Sequence, residues 1–106
     1  MDTKELLVKI REAVSITLTP EYVSTLKDDG MIQTIKIVSD IFIGKNISTR
    51  LEMTLKCIRD FDPSLLLKFD ITFVLVSKSE NINWIDFEEE NRDIKSGTGE
   101  FAAKEI

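Results

Sequence analysis

The chain has 106 residues, 42% of them hydrophobic and 31% charged, and a net charge of −5, which is ordinary for one soluble globular domain. It has no histidine and a single cysteine, Cys57. That excludes Ser-His-Asp and Cys-His nucleophile systems, His-ligated metals, an intrachain disulfide and a four-cysteine metal site within one chain. The acidic balance disfavours a duplex-wrapping protein, and no apolar run approaches the ~20 residues that span a bilayer.

The start, Met1-Asp2-Thr3-Lys4-Glu5, has no basic stretch leading into an apolar one. No secretory signal is therefore expected, and the setting is read as cytoplasmic, in keeping with the cysteine usage. A first helix is predicted from Asp2 to Val14. Leu6, Leu7, Ile10, Ala13 and Val14 share one face, and Asp2 with Glu5 can form a capping box. The helix frays through 15–18 and stops before Pro20.

Residues 22–27 admit two readings. Thr19-Pro20-Glu21 can open a short helix, yet Tyr22-Val23-Ser24-Thr25-Leu26 is β-rich and runs into Asp28-Asp29-Gly30, a hairpin signal. The strand is preferred, because the run from Met31 to Ile43 is itself a strand and requires an antiparallel partner. In that run Ile35 and Ile37 alternate with Thr34 and Lys36, which predicts one buried and one wet face. Ser39-Asp40 interrupts it, as a bulge or as the strand's end.

A second helix is predicted from Ile47 to Phe61, capped by Asn46 or Ser48 and ended by Asp62-Pro63. Its buried face is predicted to carry Ile47, Leu51, Leu55, Ile58 and Phe61. Residues 64–67 can add a helical turn. A third strand is expected from Phe69 to Ser77, with Ile71, Phe73 and Leu75 on one face and Val74 and Val76 partly buried on the other. Lys78-Ser79-Glu80-Asn81 breaks it. Ile82, Trp84, Ile85 and Phe87 form a last apolar patch, read as a helical turn docking on the sheet. Residues 88–106, with Glu88-Glu89-Glu90 and Ser96-Gly97-Thr98-Gly99, have no period and read as an acidic tail. The division is thus one domain at 1–87 and a tail at 88–106. The fold class is α+β in the order α-β-β-α-β, a small three-stranded mixed sheet with helices on one face, as in class II KH-like modules.

Candidate chemistry is sparse. Ile43-Gly44-Lys45-Asn46-Ile47, a strand entering a helix through a glycine bend, resembles the phosphate-contacting loop of KH modules. Gly44, Lys45, Asn46 and Arg50 would be the nucleic-acid contacts. Isoleucine at 47, where those loops have glycine, obstructs close backbone approach. The alternative is a scaffold corner in which Gly44 takes a strained φ and Asn46 or Ser48 caps the helix. Lys45, Arg50, Lys56 and Arg59 form a modest basic stripe, either solvated surface or a docking surface for an acidic partner. Cys57 reads as a core-edge residue or as a thiol activated by Lys56 or Arg59. Trp84, the sole tryptophan, reads as a core-edge anchor or a stacking platform. No nucleophile with its base and no complete metal set is present, so an enzyme is not expected and no cofactor is assigned.

Leu18-Thr19-Pro20-Glu21-Tyr22-Val23, then Ile37-Val38-Ser39-Asp40-Ile41-Phe42-Ile43-Gly44-Lys45, then Arg50, and finally Trp84, together resemble the BolA family. The likeness covers roughly residues 2–84, and its most specific part is Val-Ser-Asp-x-Phe-x-Gly-Lys followed by Arg50. It implies the class II KH-like fold and a small intracellular partner of monothiol glutaredoxins in iron–sulfur trafficking, or a DNA-associated regulator. The family's cluster-ligating histidine at the start of the last strand is replaced here by Phe69-Asp70-Ile71. The loop between the first strands is only Asp28-Asp29-Gly30, and residues 63–67 look inserted. The resemblance therefore implies an adaptor that does not itself ligate a cluster. Its partner-binding residues are expected to be Arg50, Lys56, Arg59, Ile82 and Trp84. The alternatives are the KH-like nucleic-acid module and an interaction module recognised through its acidic tail. A homodimer that buries one sheet face is left open.

Overall fold

The computed structural model describes residues 2–81. The predicted patch at 82–87, the tail at 88–106 and the boundary between them lie outside the described residues. The first helix, α1 (Thr3–Val14), is capped as its sequence indicates, with the Asp2 carboxylate accepting from the Glu5 amide at 2.8 Å. Leu6, Ile10 and Val14 form its buried stripe, and Leu18 continues that stripe past the helix end. Thr19 takes a positive φ of 39° ahead of Pro20. On either side of it, the Leu18 carbonyl accepts from the Ser39 hydroxyl and the Glu21 amide donates to the Val38 carbonyl at 2.7 Å.

Residues 22–27 are extended, the preferred of the two readings. Strands β1 (Tyr22–Asp29) and β2 (Ile32–Val38) pair antiparallel, joined by a tight turn at Gly30 with φ 66°. The Asp28 carboxylate accepts from the Gly30 amide and from the Gln33 side chain. These bonds, led by that of Gln33, hold it below the ordinary aspartate value. The register shifts between Thr25 and Lys27, so the bulge lies in β1 and not at Ser39-Asp40.

Two expectations for β2 are corrected. The strand ends at Val38 and does not run to Ile43, because Ser39 starts a 3₁₀ turn over Asp40–Phe42, its hydroxyl accepting from the Ile41 amide at 3.2 Å. The turn drives Phe42 into the core. The Thr34 and Lys36 face is also buried, not wet, with Lys36 only 4% exposed. Lys36 lies over the Tyr22 ring, 5.5 Å from its centre.

Gly44, at φ 77°, turns the chain into α2 (Ile47–Phe61). Asn46 provides the cap, accepting from the Thr49 amide at 2.9 Å. The expected buried face of α2 is rotated. Arg50, Thr54 and Ile58 are innermost, whereas Leu51 and Phe61 are 38% and 44% exposed. Arg50 displaces a leucine there because its hydrogen-bond partners lie inward, in the Gly44 bend and on the last strand. Asp62 ends α2, and its carboxylate accepts from both the Ser64 amide and hydroxyl. A short helix, α3 (Ser64–Lys68), follows and sets Leu65 into the core.

The last strand, β3 (Asp70–Val76), pairs parallel with β2, giving a mixed sheet in the order β1-β2-β3. Helices α1, α2 and α3 pack on one face. There Leu6, Ile10 and Val14 from α1, Ile58 from α2 and Leu65 from α3 meet Val23, Ile35, Ile37, Phe73 and Leu75. The fold class is therefore the one expected, a small α+β domain with a three-stranded mixed sheet. Lys78-Ser79-Glu80-Asn81 does not simply break the strand; residues 78–81 are helical. Among the described residues no helix is long and apolar enough to cross a membrane.

Candidate functional site

The Gly44 bend, the start of α2 and the end of β3 converge on one side chain. Arg50 is 3% exposed. Its Nε donates to the Lys45 carbonyl at 2.8 Å, and one terminal nitrogen donates to the Leu75 carbonyl at 2.9 Å. The two terminal nitrogens also grip the Glu80 carboxylate, at 2.7 and 3.0 Å. The Phe42 ring lies under the guanidinium, 5.7 Å away. Four of arginine's five N–H directions are thus matched within a planar fork, so the charge can sit inside the fold. Thr54, one turn on, satisfies its hydroxyl on the Arg50 carbonyl at 2.9 Å. That is how these polar residues occupy the inner face of α2 and push Leu51 toward solvent.

Glu80 is bonded on its other side as well. The Ser77 amide donates to its carboxylate at 2.8 Å, while its own amide lies 3.4 Å from the Ser77 hydroxyl. Together they form a capping box at the start of the helical residues 78–81. The sequence reading missed Glu80. The signal was present as Ser77-x-x-Glu80, but a polar tetrapeptide after a strand also reads as a turn.

The Arg50 hydrogen bonds, above all, hold the Glu80 carboxyl below the ordinary glutamate value of 4.5. Because the folded-state value is the lower one, this contribution to stability is complete above pH 4.5 and is lost as pH falls through the folded-state value. Asp28 and Asp62 are shifted in the same direction, chiefly by side-chain hydrogen bonds from Gln33 and Ser64. The informative measurement is therefore a difference. Glu80→Gln is expected to flatten the acid limb of the stability–pH curve relative to the unmodified chain. Superimposable acid limbs in urea titrations would contradict this.

The sheet edges at this corner are closed in a matching way. The Ser39 amide bonds the Val76 carbonyl at 2.9 Å, which turns the backbone of alternate residues such as Leu75 away from β2. Arg50 meets that outward Leu75 carbonyl. On the opposite edge Arg11 donates to the Val23 carbonyl at 3.1 Å. Each arginine occupies an edge acceptor that would otherwise be open to another strand.

Among the other predicted site residues, Gly44 makes the bend. Lys45 turns back on its own loop, with its amide on the Phe42 carbonyl at 3.0 Å and its ammonium on the Ile41 carbonyl at 2.7 Å. Asn46 caps α2. These three, suggested as nucleic-acid contacts, are thus joined in a packed corner with Arg50, and Ile47 is half-buried beside them. Arg50, expected on a docking surface, is turned inward instead. Lys56 and Arg59 are exposed on the outer side of α2. Lys56 faces Asp60 at 3.9 Å, an exposed pair worth about 0.3–0.5 kcal/mol at most. Ile82 and Trp84 lie outside the described residues. Cys57 is half-buried against the core, and no group of three potential metal ligands occurs among the described residues.

The order of elements, the parallel β2–β3 pair and the corner that joins the 3₁₀ turn to α2 define a BolA-like fold. Among solved structures, the chain is similar to BolA1 from Arabidopsis thaliana, with a TM-score of 0.56 and 23% identity over 71% of this chain and 94% of that one. No family model and no curated protein sequence matches the chain.

Proposed function

We propose that this chain is a non-enzymatic BolA-like adaptor that binds a monothiol glutaredoxin in the cytoplasm without ligating the shared cluster itself. The observation that carries this reading is a BolA-like scaffold with Phe69 ahead of its last strand and Asp70-Ile71 opening it, where the family resemblance implies a histidine. Neither a phenyl ring nor an alkyl chain can ligate iron. Asp70 is exposed at the hairpin end of β3 and pairs with Ile32 in the sheet. The docking surface is the outer side of α2, through Lys56 and Arg59. Arg50 contributes by holding that helix to β3, not by touching the partner.

Titration of a monothiol glutaredoxin into isotope-labelled protein is expected to shift amide signals on the outer side of α2. Lys56→Glu combined with Arg59→Glu is expected to weaken binding at least several-fold, more so at low salt, because exposed charges steer and orient encounters. Unchanged spectra at ~100 μM partner, a loose affinity of about −5.5 kcal/mol, would remove the glutaredoxin assignment.

A further inference from the structure

The outer edges of the sheet, along β1 and β3, are built differently. On β1 the register shifts between Thr25 and Lys27, the stretch Lys27-Asp28-Asp29 is charged, and Arg11 occupies the Val23 carbonyl. Bulges and charges of this kind deter another strand. Past its first residue, β3 has no such feature. Its register with β2 is continuous, and Ile71-Thr72-Phe73-Val74-Leu75-Val76 contains no charge, glycine or proline. The ends of β3 fix which backbone groups point outward. The Asp70 amide donates to the Met31 carbonyl and the Val76 carbonyl accepts from the Ser39 amide, both on the β2 side. Alternate residues point the other way, so Ile71, Phe73 and Leu75 turn their amides and carbonyls to the outer edge. Among the described residues no strand pairs there.

We propose that β3 pairs along this edge with β3 of a second copy, antiparallel, about a two-fold axis at Thr72. The ends of the open stretch select both this partner and this register. At one end the Leu75 carbonyl is taken by Arg50 at 2.9 Å; at the other the Phe69 amide is taken by the Leu65 carbonyl at 3.2 Å. Between them lie Ile71 and Phe73, whose outward amides and carbonyls have no partner in the sheet. An axis at Thr72 sets Ile71 opposite Phe73 of the partner subunit, and the two exchange both backbone bonds. It also sets the occupied Leu75 carbonyl opposite the occupied Phe69 amide of the partner subunit, so no bond is forfeited. An axis at Ile71 or at Phe73 would instead leave an open group facing an occupied one. The two Thr72 side chains become a close, non-hydrogen-bonded pair with ~4.5 Å between Cα atoms, a combination that favours pairing. Asp70 comes opposite Val74 of the partner subunit, so like charges do not face. The net charge of −5 on each copy opposes association, and the dimer is expected to tighten as salt is raised.

Sedimentation equilibrium of the full chain is expected to show a dimer at ~100 μM. Thr72 is half-buried, and Thr72→Glu or Thr72→Lys places like charges opposite each other at the axis. Each variant alone is expected to dimerise several-fold more weakly, with the far-ultraviolet dichroism retained. An equimolar mixture of the two is expected to recover the dimer. Amide hydrogen exchange needs no substitution, so it decides even where a variant unfolds. The outward Ile71 and Phe73 amides are expected to slow several-fold as the unmodified chain dimerises, while the inward Thr72 and Val74 amides are slow throughout. A chain that stays monomeric at ~1 mM would overturn the proposal and leave the edge to an extended segment of another protein. So would a dimer that forms equally well in both variants, or one whose formation leaves the exchange of Ile71 and Phe73 unchanged.

Discussion

Arg50→Ala is expected to destabilise the fold by about 1–3 kcal/mol, the usual cost of leaving a buried acceptor without its donor, since Glu80 is 35% exposed and its charge stays partly hydrated. The loss has three parts. The Leu75 carbonyl loses its donor at a sheet edge, the Lys45 carbonyl loses its donor at the α2 corner, and Glu80 keeps a charge without its guanidinium. Since domains of this size are stable by only about 5–15 kcal/mol, a large fraction would go in one substitution. Arg50→Lys is expected to recover little, because an ammonium cannot grip a carboxylate with two parallel bonds while also reaching two carbonyls. Urea unfolding of the three proteins checks both statements. A loss below about 1 kcal/mol for Arg50→Ala would show that Arg50 behaves as an exposed pair does, contrary to its geometry.

Phe42→Ala is expected to cost about 3–5 kcal/mol, as for other large-to-small changes in a closed core. Phe42 is 0% exposed and is brought to the core by the 3₁₀ turn, not by a strand. Its ring also supports Arg50, so the two substitutions should not be additive. A double-mutant cycle is expected to give a coupling of about 0.5–2 kcal/mol. Additivity within experimental error would mean that the ring and the guanidinium are neighbours without interacting.

Much of the fold was legible because the relevant forces are local. The α1 stripe follows from a 3.6-residue period, and its cap from Asp2. The hairpin follows from Asp28-Asp29-Gly30, where glycine takes the positive φ. The start of α2 follows from Asn46, and its end from Asp62-Pro63. Other features were not legible for equally physical reasons. Periodicity ranks side chains by hydropathy, so it put Leu51 inside and Arg50 outside; it cannot register a carbonyl and a carboxylate waiting on another strand. The alternation of Thr34 and Lys36 with Ile35 and Ile37 signalled a wet face, because alternation does not reveal whether something else covers the polar row. Ile41 and Ile43 extended the apparent strand, although Ser39 had already turned the backbone into a 3₁₀ turn. The candidate nucleic-acid loop illustrates the same limit. Its residues were identified, but the attachment of Lys45 to Ile41 and of Asn46 to Thr49 is a property of the closed corner.

By itself the sequence determined the α-β-β-α-β order, the two glycine turns, and the exclusion of histidine- and disulfide-based chemistry, because each depends on residue identity or on spacing within a few turns of chain. Only the tertiary structure decided what the Gly44–Arg50 region is. The partners of Arg50 lie 25 and 30 residues away along the chain. A charge that distant partners satisfy belongs to the interior, while the same charge without them belongs to the surface.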